Sequence, residues 1–218
     1  MRARHLCYLL MLCFPPLPAW SAEAMRVVDT RTLTLPRPPA AAAYALELNL
    51  YAFAGTRWQP GDILAVVPQS ASLLAACGVA LTQSVLRVLE APRRFHFYST
   101  AASRELLRKF PFAKPAVVFV EDTLNRPAYD AETIGMANAA TRPELANTIW
   151  VAYGARDLSR ALAHELVHLL SNSGEHAEEA RNLMRPETSS ENTQLTPAQC
   201  AQLRSQGMAH GLLERRRE

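Results

Sequence analysis

The chain has 218 residues, a formal net charge of +3 and an apolar content of 49%. That is enough for one compact domain with a sizeable core, and no second domain is expected. The basic residues are scattered rather than clustered, which argues against nucleic acid or an anionic membrane as a partner.

Residues 1–24 begin with Arg2, Arg4 and His5, continue through an apolar run from Leu6 to Phe14, and end in Ala22-Glu23-Ala24 after a proline-rich stretch. This is the three-part order of a secretory signal peptide, with cleavage expected after Ala24 and export to the periplasm or the exterior. The apolar run is too short to span a bilayer comfortably, so no stable membrane association is expected after cleavage; an uncleaved anchor is the alternative. Cleavage removes Cys7 and Cys13 and leaves Cys77 and Cys200. Two cysteines in an oxidising compartment form a natural disulfide, the alternative being a free buried thiol or a thiol ligand.

Residues 25–43, with Arg37-Pro38-Pro39 and an alanine run, read as an extended N-terminal segment before a single domain over 44–218. Tyr44 to Phe53 alternates polar and apolar residues as a strand does. Gly55 to Gly61 is turn chemistry, Ile63 to Val67 reads as a second strand, and Ser70 to Cys77 as a short helix ended by Gly78. Val79 to Leu89 alternates again. Phe95 to Tyr98 is an aromatic strand candidate in which His96 packs or lies at an edge. Ser103 to Phe110 reads as a short helix with a serine cap. Pro115 to Val120, rich in valine, is the most convincing central strand, and Ile134 to Asn138 and Thr148 to Tyr153 are further strands.

The chemistry concentrates in Ala161-Leu162-Ala163-His164-Glu165-Leu166-Val167-His168-Leu169-Leu170, an HExxH sequence inside a run of helical spacing, with Asp157 as N-cap and an exit near Ser171 to Gly174. Four residues apart on a helix, His164 and His168 project from one face and can grip one ion, while Leu158, Leu162, Leu166 and Leu169 gather on the opposite side. Zinc held by two imidazoles and a third protein ligand keeps one position for water, and Glu165 stands where it can take the water's proton. A plain amphipathic helix with solvated histidines is the alternative. The next histidine, His176, is the candidate third ligand, with Gly174 allowing a sharp reversal of the chain; alternatively it is a solvated loop residue. Thr196-Pro197 opens a last helix carrying Cys200 and Leu203, and Glu214 to Glu218 reads as a solvated tail.

HELVH, the glycine-containing turn with a further histidine, Asn182-Leu183-Met184, and Leu195 to Gln199 together resemble the metzincin clan of zinc endopeptidases over residues 149–206. The resemblance implies an α+β fold: a twisted mixed sheet, an active-site helix and a C-terminal helix. It implies Zn²⁺ on His164, His168 and His176, Glu165 as base and acid, Met184 as a hydrophobic floor, and Ile134 to Asn138 as the edge strand along which a peptide lies. The expected protein is a monomeric zinc metallopeptidase acting on peptides or proteins. The chain departs from the clan pattern HExxHxxGxxH: HELVHLLSNSGEH has two more residues before the last histidine and Ser171 where glycine is expected. Met184-Arg185-Pro186 also lacks the tyrosine found two residues after the methionine in some members. Two readings stay open beside the endopeptidase: a non-hydrolytic zinc-bearing binding or inhibitory module, and an enzyme in which Glu187 or Glu191 replaces His176.

Overall fold

The computed structural model describes residues 25–35, 42–126, 128–187 and 189–216, so the expected signal peptide at 1–24 lies outside the described residues. Its elements are β1 (Arg26–Thr34), β2 (Tyr44–Phe53), α1 (Pro60–Ala75), β3 (Val79–Glu90), β4 (Phe97–Tyr98), α2 (Thr100–Lys109), β5 (Ala116–Val120), β6 (Asp122–Thr123), β7 (Ala131–Ile134), β8 (Thr148–Ala152), α3 (Leu158–Ser171), α4 (Pro197–Ala209) and β9 (Glu214–Arg215), with 3₁₀ turns at Arg93–His96, Ala137–Ala139 and Pro143–Leu145. The main sheet runs in the order β1-β3-β2-β5-β8-β7, with β9 joined to the start of β2, while β4 and β6 form a separate pair. β3, β2, β5 and β8 are mutually parallel; β1 and β7, at the two edges, are antiparallel to their neighbours. This is the mixed α+β architecture expected from the sequence.

Side-chain parity explains why the middle strands are apolar throughout. Val117 and Phe119 of β5, with Ile149 and Val151 of β8, pack under α1, α3 and α4. Val118, Val120 and Trp150 face the other way and pack with Leu106 and Leu107 of α2. A strand covered on both faces needs a continuous apolar run, which Ala116-Val117-Val118-Phe119-Val120 provides.

Several elements differ from the sequence reading. Arg26–Thr34, in the segment read as merely extended, is a nine-residue edge strand paired with β3. Ile63 to Val67 belongs to one sixteen-residue helix, not a strand. Its buried residues Ile63, Val67, Ser70, Ala71 and Leu74 follow the spacing of a helix face, and Pro60 opens it in a position where a missing N–H costs nothing. The cap of α2 is Ser99, whose hydroxyl accepts from the Ala102 N–H, whereas Ser103 is buried inside the helix. The edge strand is Ala131–Ile134; beyond it Gly135 leads into the 3₁₀ turn, so the strand read at 134–138 begins and ends earlier. Glu214–Arg215, read as tail, forms β9.

The Cys77–Cys200 disulfide joins the end of α1 to α4 across 123 residues. Among the described residues no helix is long and apolar enough to cross a membrane.

Candidate metal centre

α3 follows β8 and lies under the sheet, buried from Ser159 onward apart from Arg160, with Leu162, Leu166, Leu169 and Leu170 in the core. Asp157 occupies the cap position in a left-handed conformation, but its carboxylate accepts from Ser159 Oγ and Arg160 instead of a backbone N–H. The helix ends at Ser171, and Asn172, at φ 49°, makes the left-handed exit expected of Gly174, whose φ is not positive. Asn172 Oδ1 also accepts from the Ala137 N–H at 3.0 Å, tying the helix exit to the segment beyond β7. Gly135 makes that approach feasible, since a Cβ there would stand 2.9 Å from Asn172 Oδ1.

The helix places His164, Glu165 and His168 on one wall of a cleft of about 500 Å³, whose opposite wall includes Thr133 and Gly135. His164 is 7% exposed and His168 9%. The segment after Asn172 brings His176 to them: its ring centroid lies 5.3 Å from that of His164 and 5.0 Å from that of His168. Among the described residues these three histidines form the group that could hold a metal ion, their ligand atoms all lying within 4.8 Å of one another. Three nitrogens around one tetrahedral zinc would stand about 3.3 Å apart. Glu187 and Glu191 are exposed and outside the group.

Hydrogen bonding fixes the tautomer of two of the rings. His164 Nδ1 donates to the Leu183 carbonyl at 2.8 Å and His168 Nδ1 donates to the Ser173 carbonyl at 2.7 Å. A carbonyl can only accept, so both Nδ1 atoms carry the hydrogen and each neutral ring presents a lone pair at Nε2. The two Nε2 atoms face each other at 2.9 Å. Burial, the larger cause in both rings, lowers their basicity, to a pKa of about 4 at His168. Two neutral nitrogens with converging lone pairs suit a cation between them, and carbonyl acceptors behind ligating imidazoles are what a metal site uses to fix the tautomer.

Glu165 is 9% exposed, and burial pushes its carboxyl up to about 7, with the Thr133 hydrogen bond and His176 opposing the shift. Thr133 Oγ1 lies 2.5 Å from Glu165 Oε2. Met184 is buried; its N–H donates to Asn182 Oδ1 at 2.9 Å and its carbonyl accepts from the Ala177 N–H at 2.9 Å, beside His176. The sequence reading did not single out Thr133, and it named the segments containing Asn172, Asn182 and Gln199 without giving those side chains a role. For Asn172 a signal existed, since asparagine tolerates the left-handed region at a helix exit.

The chain matches no known sequence family and no curated protein sequence. In structure it is similar to metalloproteinase-II from Bacteroides fragilis, with a TM-score of 0.54 and 16% identity, over 80% of this chain and 57% of that one. The chain thus spans little more than half the length of that protein, and at this identity the likeness is one of fold. The chain has a metalloproteinase-like α+β fold in which three histidines gather where a metal ion could be held.

Proposed function

We propose that the chain is a zinc-dependent endopeptidase that is exported, with its signal cut after Ala24, and cleaves peptides or proteins in the cleft between α3 and β7. The observation that carries this reading is the convergence of His164, His168 and His176, with two Nε2 lone pairs aimed at each other beside a buried carboxylate. The fold likeness and the disulfide of an oxidising compartment support it.

In this reading the three imidazoles hold zinc and Met184 forms the apolar floor beneath them. When bound, the ion supplies Lewis acidity to a substrate carbonyl and eases proton loss from water. β7, at the sheet edge, aligns an extended peptide. Glu165 accepts the proton from the attacking water and returns it to the leaving nitrogen, while Thr133 holds one carboxylate oxygen and so turns the other to the cleft. Burial raises the carboxyl toward neutral pH, the range in which one group can both take and give a proton.

The test is the zinc content of the processed, disulfide-bonded protein and its hydrolysis of a peptide library. Glu165→Ala is expected to keep zinc and lose turnover, and His168→Ala to lose zinc. Stoichiometric zinc with no turnover on any peptide would favour a binding or inhibitory module; absence of both zinc and turnover would reject the proposal.

A further inference from the structure

The segment Asn182-Leu183-Met184 meets the ring of His164 and the backbone next to His176. The Leu183 carbonyl accepts from His164 Nδ1, and the Met184 carbonyl accepts from the N–H of Ala177, next to His176. His168 has a separate support, the Ser173 carbonyl on the helix exit. The Leu183 N–H bonds the Gln194 carbonyl at 2.7 Å, and beside this backbone tie the segment is held by a pair of side-chain amides. Asn182, 3% exposed, accepts from the Met184 N–H at Oδ1, receives Gln199 Nε2 on the same oxygen at 3.3 Å, and donates Nδ2 to Gln199 Oε1 at 3.1 Å. Gln199 Oε1 also accepts from the Thr196 N–H at 2.8 Å, closing the capping box that starts α4.

From this geometry we infer that Asn182 and Gln199 are positioning residues for the metal centre. Their amide pair anchors the segment to the start of α4, and through two successive carbonyls it sets the ring of His164 and the approach of His176. This rests on the metal-binding reading above. Groups behind ligating histidines change metal affinity by about tenfold to a hundredfold when removed, because the rings lose their preset orientation.

Zinc affinity of the full mature chain, measured by competition with a chromophoric chelator, is expected to fall about tenfold to a hundredfold in Asn182→Ala and in Gln199→Ala. The double variant is expected to be no weaker than the weaker single, since either change breaks the same pair. Gln199 is half-buried near the start of α4, so Gln199→Ala carries the test if Asn182→Ala does not fold. A second measurement uses metal-free protein: the proton NMR signal of His164 Nδ1–H should shift or broaden in both variants while that of His168 stays. A pair that only stabilises the fold would lower the melting temperature and leave both zinc affinity and the His164 proton unchanged, which overturns the inference. If the unaltered chain binds no zinc, the metal reading fails instead, and the His164 proton alone decides the positioning claim.

Discussion

Thr133 shows how one side chain can hold a carboxylate in place. Its hydroxyl has one proton and two acceptors within reach, Glu165 Oε2 at 2.5 Å and the Glu165 carbonyl at 3.1 Å, and the charged oxygen is the stronger acceptor. Thr133→Val keeps the shape and removes the donor, so turnover is expected to fall about tenfold with zinc content and KM unchanged, and Thr133→Ser to restore most of it. Unaltered kcat in Thr133→Val would remove the residue from the mechanism. A titration outside the site belongs to this scale too. Burial, the largest cause, lowers the pKa of His96, which stacks on Phe53; the Ala91 carbonyl opposes the shift. A histidine whose folded pKa lies below its unfolded 6.5 binds its proton more readily in the unfolded chain. Stability from this group is therefore full above pH 6.5 and lost as pH falls through the folded value. His96→Gln should flatten the decline in urea midpoint below pH 6.5; an identical pH profile would refute this. The residues of the candidate centre were legible where one helix brings them together, as with His164, Glu165 and His168. Thr133 and Gln199 were not, because their partners lie 32 and 17 residues away and only the fold joins them.

At the scale of elements, the sequence spoke clearly wherever one physical cause dominated. β2 and β5 were legible from alternation and from an unbroken apolar run. Residues 60–75 carried two signals, the β-branched Ile63, Val66 and Val67 against a four-residue spacing of buried positions; tertiary packing under the sheet decided for helix. β1 has exposed residues on both faces, so it has no apolar stripe to betray it. The exit of α3 is the element on which the centre depends most. The helix runs through Ser171, whose Oγ bonds back to the Val167 carbonyl at 2.6 Å, and turns at Asn172, so the longer spacing before His176 is absorbed in the extended helix end and the return that follows. Asn172→Ala forces a residue without asparagine's local hydrogen bonding into the left-handed region and gives up the bond to the exposed Ala137 N–H, which turns to water, so the loss expected in urea unfolding is about 1 to 2 kcal/mol, most of it from the backbone. Asn172→Gly removes the same hydrogen bond but relieves the backbone, so it should cost less. Equal losses would show that the backbone conformation is not the controlling factor.

On the scale of the whole molecule, the layers are unequally secured. α3 is buried along nearly its whole length, but α4 buries only Cys200, Leu203 and Gly207, so apolar burial holds it weakly. Three further ties compensate: the Asn182–Gln199 pair, Arg204 NH1 donating to the Cys77 carbonyl at 2.9 Å, and the Cys77–Cys200 disulfide. A loop of 123 residues closed by a disulfide restricts the unfolded chain by about 5 kcal/mol in the chain-entropy account. That is a large fraction of the 5–15 kcal/mol typical of a domain's net stability. Replacing both cysteines by serine is therefore expected to lower the urea unfolding free energy by about 3 to 5 kcal/mol. Because the sheet core keeps its apolar contacts while α4 loses its covalent hold, the loss should be uneven: amide hydrogen exchange in Pro197–Ala209 should quicken well before that of Ala116–Val120 and Thr148–Ala152. Uniform acceleration across α4 and the central strands would mean that the disulfide acts only through global stability, and that α4 does not undock as a unit of its own.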